Sequence, residues 1–224
     1  MKKLFFILTI NVFSFLHFNL ANAVDCSTLN SIPTIELTSS YGQLEYNNSL
    51  NNLQITNLAS RYGIIEKGLF ASGLATVNVN WEINVNTIAK VHGDYDICVI
   101  PTSLNVFIGF SKPTVYISQD LVKNSCEYNV VLRHEQTHQQ INKVILDYFL
   151  PQFQSALEQI AATVKPEHIA LLSDIDAATT KLTTKYNQKL SPLIEVFKFE
   201  LLNEQSKLDN HLNYEYEQNL CRPK

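Results

Sequence analysis

Two histidines four residues apart, with a glutamate directly after the first, predict chemistry most clearly in this sequence. The segment reads His134-Glu135-Gln136-Thr137-His138. Residues i and i+4 of a helix lie one turn apart on one face, so both imidazoles could bind one zinc ion. Glu135 lies beside that face, where it could act as general base toward a water molecule activated by zinc. The spacing therefore predicts a catalytic zinc site.

A catalytic zinc site has three protein ligands and one open position, so a third ligand is required. The metzincin pattern would supply it from the same helix, with Gly at position 141 and His at position 144. Ile141 and Val144 stand there instead, which excludes that pattern. The third ligand must therefore come from a later element.

Four cysteines remain after residue 23, namely Cys26, Cys98, Cys126 and Cys221. An even number in an exported chain predicts two disulfides, for which three pairings are possible. Cys126 begins the first predicted helix and Cys221 ends the last, so antiparallel packing of these helices favours a Cys126–Cys221 bond. Cys26 and Cys98 would then form the second bond.

The favoured Cys126–Cys221 bond also predicts where the third ligand lies. With the two helices antiparallel, the motif histidines face residues 209–213, a window that contains Asp209 and His211. Both residue types bind zinc. His211 is the first candidate because it is in phase with the apolar stripe of the last helix, and Asp209 is the second.

Two glutamates remain as alternatives for the third ligand. A simple helical hairpin that turns at Lys165-Pro166 would instead place the histidines opposite Glu195, which lies off the apolar stripe. Glu204 shares the stripe with His211. Further along, Tyr214 or Tyr216 could supply a hydroxyl to a developing oxyanion.

The N-terminus has the features of a secretory signal peptide. Lys2 and Lys3 precede an apolar run from residue 4 to about residue 20, and Ala21-Asn22-Ala23 follows as a cleavage site. Cleavage after Ala23 predicts a periplasmic or secreted protein. The formal net charge of −4 becomes −6 when the two lysines are removed. Without a basic patch, neither nucleic acid nor a membrane surface is an expected partner.

The residues before 125 have the patterning of strands. Residues 76–85 alternate polar and apolar types, which predicts a strand with one buried and one solvent-facing side. Residues 95–110 and 114–117 predict two more strands, with a turn or bulge at Pro101-Thr102-Ser103, and residues 33–46 a fourth. Such alternation is typical of an antiparallel sheet with one covered face.

Helical spacing replaces this alternation after residue 125. It predicts a first helix over about 127–150, which Pro151 kinks or ends, and a second piece over about 152–164. Further helical pattern covers about 167–189. Ser191-Pro192 then begins a final helix that extends to about residue 219. The predicted fold class is α+β, with an antiparallel, strand-rich half and a long helical C-terminal half.

These residues resemble those of the zincin-type metallopeptidases. The chain is most similar to a bacterial family of predicted secreted zinc-dependent proteases, a domain of unknown function. The resemblance covers about residues 75–219 and rests on Cys98, on Cys126 closely upstream of the histidine motif, and on the long helical tail. It implies a zincin-like active-site helix packed on the sheet.

Only His134, Glu135 and His138 carry over to that family residue by residue. The family has an Asp followed by a His-Gly element near the end of its tail. This chain has Asp209 and His211 in that region, but no Gly follows. The departure leaves the choice between Asp209 and His211 open.

Together these features predict residues 1–23 as a signal peptide and 24–224 as a single zincin-like domain, strand-rich over 24–124 and helical over 125–224. Its predicted function is that of a Zn²⁺-dependent peptidase acting on peptide or protein substrates, with Glu135 as general base. A secreted, non-catalytic zinc-binding or partner-binding module is the alternative. An exposed strand edge, 76–85 or 114–117, is the expected place for an extended substrate.

Overall fold

The structure is a computed structural model, and it describes residues 25–29, 32–64, 70–92 and 96–222. The predicted signal peptide and its cleavage site lie outside the described residues. Within them the chain forms five strands and four α-helices, together with short 3-10 turns at Cys26–Thr28 and Leu172–Asp174. Helices and strands are both present, as expected for an α+β protein.

A long antiparallel pair of strands forms the centre of the sheet. Strand β3 (Gly73–Val91) pairs with β4 (Ile97–Ile117) along the whole length of both. From Val77 to Val85 the odd-numbered side chains of β3 are buried or half-buried and the even-numbered ones are exposed. This confirms the alternation predicted for residues 76–85. The pairing shifts register where Thr87 lies opposite Pro101, which confirms the bulge expected at 101–103.

The prediction of an antiparallel sheet is wrong. Strands β1 (Thr34–Ser40) and β2 (Glu45–Asn47) both run parallel to β4, whereas β5 (Glu167–Ile169) is antiparallel to it. Because β3 occupies one edge of β4 throughout, these three short strands follow one another along its other edge. Alternation indicates which face of a strand is covered, but strand direction depends on the connections. Residues 41–44 join β1 to β2 without reversing the chain, so both keep the direction of β4.

Two long helices form a hairpin on one face of the sheet. Helix α2 (Cys126–Thr163) continues through Pro151, so the first helix does not end there, and that one of the two predicted outcomes is wrong. Helix α3 (Ile175–Leu208) continues through Pro192, so the helix start predicted at Ser191-Pro192 is wrong. Proline inside a helix costs about 3 kcal/mol, which burial of large apolar side chains can offset. Phe149 and Phe153 are buried on either side of Pro151.

Two shorter helices complete the fold, α1 (Asn52–Arg61) before β3 and α4 (His211–Asn219) after α3. The sequence pattern did not predict α1 or the short strand β5. None of the helices that the structure describes combines the length and the apolar character needed to cross a membrane.

The main hydrophobic core lies between the sheet and the helical hairpin. Val106, Ile108 and Phe110 of β4 contribute to it from the sheet. The fully buried side chains of α2 and α3 pack against them, with Phe149, Phe153 and Phe197 in mutual ring contact. The core fixes the hairpin on the sheet and so fixes the position of the histidine motif, which lies on α2.

Two disulfides connect distant parts of the chain. Cys26 is bonded to Cys98 at the start of β4, and Cys126 at the start of α2 is bonded to Cys221 after α4. The favoured pairing is therefore confirmed. Both bonds are compatible with an exported protein, because disulfides persist in oxidising compartments.

Candidate metal centre

The motif histidines continue the buried stripe of α2 beyond the apolar core. Leu146, Asn142, His138 and His134 follow one another at intervals of four residues, and all are buried. The stripe changes from apolar to polar toward the beginning of the helix. The two imidazoles therefore project from a rigid helix into a covered polar space, with only 5% of His134 and 8% of His138 exposed.

A break in the helical tail supplies a carboxylate to the same space. Helix α3 ends at Leu208, Asp209 follows outside helical geometry at φ −83° and ψ 60°, and α4 begins at His211. The side chain of Asn210 caps α4 by accepting the backbone N–H of Asn213 at 3.0 Å. The prediction of one continuous helix from 191 to about 219 is therefore wrong, and the break places Asp209 against α2.

Three candidate ligand atoms converge where these elements meet. Oδ1 of Asp209 lies 3.1 Å from Nε2 of His134 and 3.1 Å from Nε2 of His138. The two Nε2 atoms are themselves 3.1 Å apart. Such a group of two imidazoles and one carboxylate could hold a metal ion.

The outer nitrogen, Nδ1, of each ring faces a hydrogen-bond acceptor. Nδ1 of His134 lies 3.0 Å from Oε2 of Glu217, and Nδ1 of His138 contacts Oε1 of Gln205. With the proton of each neutral ring on Nδ1, donated to that acceptor, each Nε2 presents a lone pair to the space shared with Asp209. Asp209 is also an acceptor, so three electron-rich atoms face one another and need either added protons or a cation.

The spacing of these atoms suits a zinc ion. Nitrogen and oxygen ligands at about 2.0–2.1 Å from zinc in tetrahedral geometry lie about 3.3 Å from each other. The observed separations of 3.1 Å are close to that value. A donor set of two histidines and one carboxylate also occurs in catalytic zinc sites.

The electrostatics of the group favour positive charge at its centre. Burial alone would lower the pKa of each histidine, but Asp209 outweighs it and raises both, with Glu217 helping at His134 and Gln205 at His138. Burial opposes ionisation of Asp209, yet hydrogen bonds from the two histidines lower its pKa strongly. A cation among these atoms would take the place of the added protons.

Glu135 lies beside the group, enclosed by the start of β3. It is 7% exposed, and a Cβ built on Gly73 would stand 2.5 Å from its Oε1 atom. Burial raises the pKa of Glu135 to about 8, while His138 and a backbone hydrogen bond from Ala75 oppose the rise. A buried carboxyl with a perturbed pKa is suited to proton transfer.

Tyr214 of α4 completes one side of the group. Its hydroxyl donates to Oδ1 of Asp209 at 2.6 Å, and its ring stacks on that of His134 with the centroids 5.4 Å apart. Burial and the neighbouring Asp209 carboxylate raise the pKa of Tyr214, so the hydroxyl stays protonated. Tyr214 is 42% exposed, whereas Tyr216, the other tyrosine considered, is 61% exposed.

The remaining candidates for the third ligand lie away from this group. His211, the first candidate, is exposed in the first turn of α4. Glu195 is exposed and pairs with Lys198 at 2.8 Å, and Glu204 pairs with Lys207. Asp209, the second candidate, is the residue that contacts both histidines.

The sequence pattern did not identify Gly73, Gln205 or Glu217 as parts of the site. The sequence does not show that a side chain packs closely against Gly73 until the structure identifies that side chain as Glu135. Gln205 lies four residues before Asp209, so helical spacing from Asp209 would have indicated it once Asp209 was known to contact the histidines. Glu217 becomes recognisable only when the break before α4 is known.

Comparisons with models of protein families, with curated proteins and with solved structures give no match to this chain.

Proposed function

We propose that the chain is a zinc-dependent peptidase whose metal ligands are His134, His138 and Asp209. The observation that carries this proposal is the convergence of three lone-pair atoms within 3.1 Å of one another, in a covered space with Glu135 beside them. Buried polar groups need partners, and with the proton of each ring on Nδ1 neither Nε2 can donate to the other or to Asp209, which accepts from the Tyr214 hydroxyl. A divalent cation satisfies all three.

A zinc ion held by His134, His138 and Asp209 would supply an activated water molecule and a Lewis acid for the carbonyl of the scissile peptide bond. The carboxylate of Glu135 accepts a proton from the attacking water and returns it to the nitrogen of the leaving amine. Gly73 and the Ala75 backbone position this carboxylate. The Tyr214 hydroxyl orients Asp209, so the ligand keeps its direction during the reaction.

The proposed substrate is an extended peptide. Strand β3 pairs with β4 alone among the described strands, so its outer edge is unpaired, and its first residues lie against Glu135. A peptide added to that edge would gain main-chain hydrogen bonds and place one carbonyl near the metal. This supports β3, rather than 114–117 within β4, as the strand that receives substrate.

We further propose that the protein acts outside the cytoplasm as a member of the zincin-type family described above. Both disulfides support the compartment. The helix that carries the motif, the sheet beneath it and the carboxylate ligand from a later element support the family.

The test is to measure zinc content and peptide hydrolysis on the same preparations of wild-type protein and Glu135→Gln. We expect Glu135→Gln to keep its zinc and to lose hydrolysis by at least about 100-fold, since general acid–base catalysis contributes about 10²–10⁴-fold. Glu158→Gln, an exposed substitution on the same helix, serves as the control. Zinc binding without hydrolysis of any peptide would favour the non-catalytic zinc-binding module.

A further inference from the structure

Helix α4 is attached to the body of the protein in an unusual way. Glu217 is its one buried residue among those that the structure describes, and the large apolar side chains Leu212 and Tyr216 are exposed. Of the described residues, none after Leu201 belongs to a hydrophobic core cluster. Apolar packing therefore does not explain why α4 lies over the metal group.

The attachment instead consists of a covalent bond and polar contacts to the metal group. The Cys126–Cys221 disulfide ties the chain after α4 to the start of α2, eight residues before His134. Within α4, Tyr214 contacts Asp209 and His134, and Glu217 contacts His134. Helix α4 is thus held by the disulfide at its end and directs its polar side chains at the proposed ligands.

Burial of the Glu217 carboxylate is unfavourable in free energy unless a close partner compensates for it. A carboxylate removed from water loses much hydration free energy, and only a close partner offsets the loss. The partner here is Nδ1 of His134 at 3.0 Å. A carboxylate at the outer nitrogen of a metal-binding histidine fixes the ring orientation and makes the inner nitrogen a stronger ligand.

The two histidines differ in the group that contacts their Nδ1 atom. His138 is held by the neutral amide of Gln205, whereas His134 is held by a carboxylate. With both rings neutral, Asp209 and Glu217 together supply two negative charges close to the metal position. Both charges favour a cation at that position.

We infer that Glu217 is a positioning residue, which acts through His134 to set the affinity and geometry of the proposed metal site. The inference rests on the proposed zinc site. The role of α4 is then to deliver this carboxylate and Tyr214, with the disulfide as its anchor.

The test compares Glu217→Gln with Glu215→Gln in the full, oxidised chain. Glu215 is an exposed glutamate on the same helix, so its substitution removes the same charge without touching His134. Zinc affinity is measured by competition with a chromophoric chelator. We expect Glu217→Gln to bind zinc about 10–100-fold more weakly than wild type, as for other groups that orient metal ligands, and Glu215→Gln to bind as wild type.

A purely structural role for Glu217 predicts a different result. Glutamine keeps the size of the side chain and an oxygen that accepts from Nδ1, so it preserves docking of α4 while removing the charge. The absorption spectrum of the Co²⁺-loaded protein reports the ligand field directly, and we expect it to change in Glu217→Gln but not in Glu215→Gln. Zinc affinity within twofold of wild type and an unchanged Co²⁺ spectrum would overturn the inference. Failure of the wild-type protein to bind zinc would instead overturn the proposed function, and this inference with it.

Discussion

The backbone of Gly73 lies so close to the carboxylate of Glu135 that no methyl group fits between them. A Cβ at Gly73 would meet Oε1 of Glu135 at 2.5 Å and Cγ1 of Val131 at 2.6 Å. Strand β3 can pass this close to α2 only because residue 73 has no side chain. The sheet and the proposed general base are therefore fixed relative to each other by one glycine.

Substitution of this glycine should separate catalysis from metal binding. We expect Gly73→Ala to displace the Glu135 carboxylate and reduce peptide hydrolysis about 10–100-fold. The overpacking should cost about 1–3 kcal/mol of stability. Zinc content should stay as in wild type, because the displaced side chain is not a ligand.

Gly63→Ala is the control for the loss of stability. Its added methyl group meets nothing within 4 Å, and its positive φ of 69° makes the substitution costly through backbone strain instead. A Gly73→Ala protein as active as Gly63→Ala would show that Glu135 does not need its present position.

The two disulfides should have different effects when removed. Replacing Cys126 and Cys221 by serine frees the end of α4, so we expect weaker zinc binding as well as lower stability. Replacing Cys26 and Cys98 removes a bond next to buried Ile100, far along β4 from the metal group. That change should lower stability by about 2–5 kcal/mol and leave zinc affinity unchanged. Chelator competition and chemical unfolding of both variants measure the two effects, and equal zinc affinities would contradict the role given to α4.

We expect Gln205 to affect zinc affinity through its contact with His138. Its amide oxygen contacts Nδ1 of that ring, and its amide nitrogen donates to the carbonyl of His138 at 3.1 Å and to Oδ1 of Asn142 at 2.6 Å. Gln205→Met keeps the volume but removes all three contacts. We expect zinc affinity to fall about 10–100-fold, as measured by chelator competition. Gln218→Met, an exposed substitution on α4, should change nothing, and an equally harmless Gln205→Met would argue against a fixed tautomer at His138.

The acid stability of the protein should depend on Glu167 of β5. Burial would raise the pKa of this carboxyl, but ion pairs with Lys181 and Lys185 outweigh it and hold the pKa below its ordinary value. A depressed folded-state pKa stabilises the protein above the unfolded pKa of about 4.3, and this contribution is lost as the pH falls through the folded value. The stability advantage of wild type over Glu167→Gln should thus be full at pH 6 and shrink below about pH 4. Thermal unfolding of both proteins across this range measures it, and a constant difference would contradict the ion-pair assignment.

The sequence allowed prediction of the elements that depend on local pattern. The period of two in residues 76–85 identified the buried face of β3, and the spacing of His134 and His138 on one helix predicted that the two imidazoles lie together. The disulfide pairing followed from where the predicted helices begin and end. Each of these inferences uses residues that are close in sequence or a pattern that repeats along it.

Which residue lies against the two histidines depends on geometry that no local pattern contains. His211 ranked above Asp209 because one helix was assumed to extend to residue 219. The break at Asp209 and Asn210 turns the chain so that Asp209 contacts both histidines and His211 is exposed. Strand direction could not be predicted from local pattern either. The parallel pairing of β1 and β2 with β4 results from a connection, residues 41–44, that has no recognisable turn signal.

The most direct test of the metal centre is the zinc content of the oxidised protein, measured by elemental analysis without chelator in wild type, Asp209→Ala and His211→Ala. The proposed ligand set predicts one zinc per chain in wild type and His211→Ala, and none in Asp209→Ala. Zinc that persists in Asp209→Ala but disappears in His211→Ala, or a well-folded wild-type protein that refuses zinc, would contradict it.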